Sequence, residues 1–196
     1  MARRLINRPE ILNNGESDDF FKIPAIELDK RTLQSVDDML NYAKENNLID
    51  NGCVNIEELI KDNEELELIF EDIMEDGQIL YSSKEQKYKI IINSNHHQNR
   101  QRFTMAHEYI HYQMHRDVIQ KNEHTDTILY RDQTTRLNID IMANRFASEL
   151  LMPITEFREV MLSNKGNILK MAEIFGVSTL AIRYRAENLG YGYGEL

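Results

Sequence analysis

Arg102–His115, RFTMAHEYIHYQMH, sets three histidines and one glutamate into a run with helical periodicity. Phe103, Ala106, Ile110 and Met114 recur at helical spacing, which predicts an amphipathic helix with one buried face. On such a helix His107 and His111, four residues apart, project from the same side and can meet one ion. Glu108 follows the first histidine, so its carboxylate can reach a water on that ion rather than the ion itself. Metal-assisted hydrolysis needs this division of labour: the ion acidifies water and polarises a carbonyl, while the carboxylate takes the proton and returns it to the leaving amine. The bland alternative is a surface helix whose histidines bind nothing, because a five-residue pattern with three fixed positions recurs by chance.

A third ligand decides between these readings, since a catalytic zinc site takes three protein ligands and keeps one position open. Asp117 lies ten residues beyond His107, but a ligand there needs a glycine to break the helix, and the chain has Met114 instead. His115 is turned about 80° around the helix from His107 and reads as a packing or hydrogen-bonding residue. The next helical run, LNIDIMANRFASELLM, is stopped by Pro153. Asp140 stands at its start, and its face continues through Asn144, Ala147 and Leu151. The small Ala143 and Ala147 allow this helix to approach the histidine helix closely, as a shared metal requires. Glu149 points to the opposite side. The competing reading of Asp140 is a helix N-terminal carboxylate favoured by the dipole.

Ahead of the histidines, GQILYSS and KYKIIINS are joined through Lys84, Glu85 and Gln86 and read as a β-hairpin. Its second strand, Lys87 to Asn93, is expected to offer a free edge to an extended peptide. Further back, Leu33–Asn47 and the stretch NIEELIKDN, opened by Asn55, are expected to be helices. Acidic residues crowd Asp50 to Asp76, which reads as a solvated helical face or as a docking surface for a basic partner. His96 and His97 are expected in an exposed loop, Arg100 and Arg102 to brace acidic neighbours, and Arg116 to Arg136 to form an irregular connection.

Near the C-terminus, LKMAEIFGVSTLAIRYR has the shape of a helix-turn-helix, with Gly176 at the turn, Ser178 as cap, and Ala172 and Ile182 buried. Arg183 and Arg185 on its second helix could face DNA. Glu173, Glu187 and Glu195 nearly balance Lys165, Lys170, Arg183 and Arg185, which favours packing or substrate docking over DNA contact. The expected organisation is an N-terminal arm over 1–28, a catalytic domain over 29–154 and a helical region over 155–196. The expected class is α+β, mainly helical, with a small antiparallel-containing sheet before the histidine helix.

Composition agrees with this frame. The 196 residues are 29% charged with a formal net charge of −10, which opposes generic attraction to a phosphate backbone. No apolar run approaches the roughly 20 residues that span a bilayer, and no apolar segment of a secretory signal follows the first basic residues, so a cytoplasmic protein without membrane contact is expected. The single cysteine, Cys53, removes thiolate zinc sites and leaves His, Asp and Glu as ligands.

NRQRFTMAHEYIHYQMH followed by DIMANRFASELLMP resembles the ImmA/IrrE-type metallopeptidases, in which an RFT-x-AHE-xx-H helix is linked to an E-xxx-N-x-FA-xx-LLMP helix. The likeness runs from about Ile56 to Leu189. It implies a zincin-like fold, zinc on His107 and His111, and catalysis by Glu108. It also implies regulated cleavage of a transcriptional repressor, commonly one encoded beside the protease on a phage or mobile element. The chain departs from the pattern at Asp140, where the family usually has glutamate, so the second helix must sit closer or hold the metal more weakly. His115, His124 and Tyr130 are candidate donors to the tetrahedral oxyanion, and Asn144 a candidate partner of a metal ligand.

Overall fold

The computed structural model describes residues 35–50, 52–121 and 133–192, all within one compact unit spanning Leu33–Leu196. Helix α1, Val36–Glu45, is opened by Ser35, whose Oγ accepts the amide of Asp38 at 3.1 Å. It buries Val36, Met39, Leu40 and Ala43, the spacing expected of one apolar stripe. Two-residue strands β1 (Ile49–Asp50) and β2 (Cys53–Val54) pair antiparallel. Helix α2, Ile56–Lys61, begins at Asn55, which caps it through Oδ1 and the amide of Glu58.

A three-stranded sheet follows, built of β3 (Leu66–Glu71), β4 (Gly77–Ser82) and β5 (Lys87–Asn93) in the order β3-β5-β4. β4 and β5 form the expected antiparallel hairpin, with Ser82 opposite Lys87. β3 runs parallel to β5 on its other side, with Leu66 opposite Tyr88. β5 is therefore the central strand and has no free edge, contrary to the expectation for Lys87–Asn93. Its residues explain the position: Ile90, Ile91 and Ile92 are all buried, as a strand covered on both faces requires. Among the described residues the free edges belong to β3 and β4.

The acidic stretch from Asp50 to Asp76 is not one helical face. α2 occupies its first part, β3 its second, and a connection over 72–76 its last. Part of the negative charge is used within the sheet: Glu67 stands opposite Lys89, with their charged ends 3.5 Å apart.

Helix α3, Gln98–Lys121, packs on β4 and β5 with one side and on helix α4, Gln133–Leu151, with another. Two covered sides explain why burial is not confined to one stripe: Thr104, Glu108, His111 and Gln113 are buried together with Ala106, Tyr109, Ile110 and Tyr112. α3 also runs further than expected, through Arg116 to Lys121. On its sheet side Tyr112 lies edge-on to Tyr88 at 5.1 Å and donates to Glu65 Oε2 at 2.7 Å, while Tyr88 donates to the Arg116 carbonyl. These pairs bind the helix to the sheet by aromatic packing whose polar ends are satisfied.

Helices α5 (Ile154–Ser163), α6 (Ile168–Phe175) and α7 (Thr179–Asn188) complete the chain. α6 and α7 form the expected helix-turn-helix shape. Gly176 adopts φ 60°, and Ser178 Oγ accepts the amide of Ala181. Phe157, Met171, Phe175, Val177 and Ile182 from these elements share one core with α3 and α4. Arg185 is not available to DNA: it is 4% exposed and its Nε donates to the Met152 carbonyl at 2.9 Å. Arg183 is exposed. The whole is an α+β, zincin-like fold, and among the described residues no helix is long and apolar enough to cross a membrane.

Candidate metal centre

α3 and α4 cross the site antiparallel: His107 meets Asn144, and four residues further along α3 His111 meets Asp140, four residues back on α4. Asp140 does not start its helix, as expected from the sequence, because α4 begins at Gln133. That removes the reading of Asp140 as a carboxylate at a helix N-terminus. Ala143 and Ala147, on the same side of α4 as Asp140 and Asn144, are at most 1% exposed and too small to hold that side away from α3.

One donor atom each from His107, His111 and Asp140 lies within 4.8 Å of the others. His107 Nε2 and His111 Nε2 are 2.9 Å apart, and His111 Nε2 is 3.6 Å from Asp140 Oδ1. Donors bound about 2.0–2.1 Å from a tetrahedral ion lie roughly 3.3 Å from one another, so these separations bracket what one ion requires. Two imidazoles and a carboxylate are also the donor types that suit a divalent ion of intermediate softness. The residues fit the metal that the fold family implies.

Electrostatics keep the imidazoles in the ligating form. Burial lowers the pKa of His107, against an opposing pull from its hydrogen bond to Asn144 and from the Asp140 and Asp76 charges. Burial, with the nearby His107 and His115 adding to it, pushes His111 down to about 3. Both rings are neutral at physiological pH, so the His111–Asp140 approach is a polar contact between prospective ligands rather than an ion pair. His107 Nδ1 lies 3.0 Å from Asn144 Oδ1. With that oxygen accepting, the His107 proton sits on Nδ1 and its Nε2 lone pair turns inward, the outer-sphere arrangement that fixes a ligand's tautomer.

Glu108, beside His107, is 7% exposed. His115 packs at 5.8 Å from the His111 ring, and burial lowers its pKa as well. Asp117 and Glu149 are not part of the group. His124 and Tyr130 lie outside the described residues. His97 is exposed as expected, but His96 is only partly so, its Nδ1 3.6 Å from Asp76. Arg100 grips Asp76 through Nε and a second nitrogen at 2.6 Å, as expected, whereas Arg102 binds the backbone carbonyls of Phe175 and Val54 rather than acids. The closeness of β4 to the site was not read from the sequence. Its signal is Gly77, where a Cβ would stand 2.5 Å from Thr104 Cγ2, one helical turn before Glu108.

A zincin-like fold with a helix-borne His-Glu-x-x-His and a carboxylate from a neighbouring helix defines a metallopeptidase-like protein. The chain belongs to the IrrE N-terminal-like domain family, peptidase M78, whose model matches residues 62–187. No curated protein matches. Among solved structures, a Mycobacterium tuberculosis transcriptional regulator is similar, with a TM-score of 0.57 and 17% identity over 78% of this chain and 55% of that one. At this identity the likeness is one of fold, and the chain spans little more than half the length of that regulator.

Proposed function

We propose that this protein is a zinc-dependent endopeptidase with a narrow substrate range, cutting a basic helix-turn-helix transcriptional repressor of a phage or mobile element in the cytoplasm. The observation that carries the reading is the convergence of His107, His111 and Asp140 beside a buried Glu108. A zinc ion held by these three residues would supply Lewis acidity, acidifying a water and polarising the scissile carbonyl. Glu108 takes the proton from the attacking water and delivers it to the leaving nitrogen. Asn144 holds His107 in its ligating tautomer, and the half-buried His115 is the described candidate for donation to the oxyanion.

The substrate strand pairs with β4, not β5, because among the described residues β4 keeps a free edge, and it rests on α3 at Gly77 and Thr104. Backbone pairing carries little side-chain information, so selection falls to other surfaces. The exposed acids Glu71, at the end of β3, and Asp72 and Glu75, between β3 and β4, suit a basic partner. The competing reading is a DNA-binding or protein-binding regulator with a structural metal. Burial of Arg185 removes one of the two cations that a DNA-binding face would use.

The test is incubation of the zinc-loaded protein with a candidate repressor and with casein, alongside Glu108→Gln. The repressor should be cut and casein spared, and Glu108→Gln should keep fold and metal while cleavage falls at least about a hundredfold. Wild-type behaviour of that variant, or rapid cleavage of casein with the repressor intact, overturns the proposal.

A further inference from the structure

On α4, the buried Ala143 and Ala147 share the side that carries Asp140 and Asn144, and small side chains specify axial position less firmly than interlocking large ones. The site tolerates no slip along the axis. Displacing α4 by one turn, about 5.4 Å, would set Asn144 opposite His111, an amide in place of the carboxylate.

The end of the pair where α3 begins and α4 finishes is held by the α6–α7 turn. From α3, Asn99 Nδ2 donates to the Val177 carbonyl at 3.0 Å, and Arg102 donates to the Phe175 carbonyl at 3.2 Å and the Val54 carbonyl at 2.7 Å. From α7, Arg185 Nε donates to the carbonyl of Met152, the residue after the end of α4. Carbonyls at helix ends lack intrahelical partners, and a guanidinium satisfies them with a charge-assisted bond. The turn is fitted around the arginine: Gly176 has a positive φ, and a Cβ there would come 3.3 Å from Arg102 Cδ. The helix-turn-helix shape is thus bonded to α3 on one side and to the end of α4 on the other.

We propose that Asn99, Arg102 and Arg185 are positioning residues of the metal site, and that the α6–α7 pair acts as a clamp setting the register of α3 against α4. They touch neither metal nor substrate; they act through His107, His111 and Asp140. The proposal rests on the reading of those three as metal ligands.

Competition titrations for Zn2+ and the visible absorption of the Co2+-loaded protein test it, on the wild type, Arg102→Met, Arg185→Met and Arg185→Lys. Folded Arg102→Met and Arg185→Met should bind Zn2+ about tenfold more weakly with an altered Co2+ spectrum. Arg185→Lys should recover much of the loss, since one donor to Met152 suffices. Ile60→Val, a core change in α2, should lower stability yet leave both readouts at wild-type values, which separates positioning from general loosening. If the methionine variants do not fold, Asn99→Ala carries the test, with an expected loss of a few fold. Wild-type affinity and spectrum in the folded clamp variants overturn the proposal. A wild-type protein that binds neither ion overturns the metal reading beneath it.

Discussion

Asn144 decides which nitrogen of His107 carries the proton, and so whether Nε2 is free to bind an ion. Asn144→Ala should leave the fold intact and weaken metal binding by about tenfold or more, as loss of an outer-sphere partner does; titration of the purified variant checks this. At His111 the consequence is a dependence of stability on pH. In the unfolded chain this imidazole takes up a proton near pH 6.5, while in the folded protein burial holds it neutral down to about pH 3. Across that window the unfolded state binds more protons, so stability present above pH 6.5 is lost as pH falls toward 3, by at most about 1.4 kcal/mol per pH unit from this group. Urea unfolding of the metal-free protein between pH 7.5 and 4.5 should show the decline, and His111→Gln should make it shallower, with the lowered pKa values of His107 and His115 supplying what remains.

Between elements, the tight contact is β4 on α3. Gly77→Ala pushes a methyl into Thr104 and should cost about 1–3 kcal/mol. Adding Thr104→Ser, which removes the methyl it strikes, should return part of the loss, the Ile91 carbonyl at 3.1 Å still crowding the new Cβ, and a double-mutant cycle measures the coupling. The elements legible in the sequence were those whose signal is local. The histidine helix, the hairpin and the caps at Asn55 and Ser178 each declare themselves within a few residues. β3 was hidden because its carboxylates resemble a solvated face and its partner β5 lies beyond β4 in the chain. The status of β5 as a central strand follows from that long-range pairing, so no periodicity within Lys87–Asn93 could reveal it. Likewise Asp140 was legible as a ligand candidate from Ala143 and Ala147 beside it, but its place within a longer helix was not.

At the scale of the whole molecule, the C-terminal helices have the shape of a DNA-reading helix-turn-helix, but their balanced charge favours packing or docking. Their burial with α3 and α4 gives them a different physical role. Arg185 spans to Met152 instead of facing outward, exposed Glu187 lies one helical turn from exposed Arg183, and the chain carries a net charge of −10. Fluorescence anisotropy with a duplex at physiological salt should find no binding tighter than the roughly 10⁻⁴–10⁻⁶ M of non-specific association. Because Phe157, Phe175, Val177 and Ile182 belong to the shared core, a chain ending at Pro153 should fail to fold cooperatively, which thermal unfolding followed by circular dichroism would reveal.

The central claim is that a carboxylate from α4 completes a metal site begun by two histidines of α3, and native mass spectrometry of metal-loaded wild type and Asp140→Ala tests it most directly. The account predicts one bound divalent ion in the wild type, lost from Asp140→Ala under the same conditions while the variant stays folded. Retention of the ion by Asp140→Ala with undiminished affinity would contradict it.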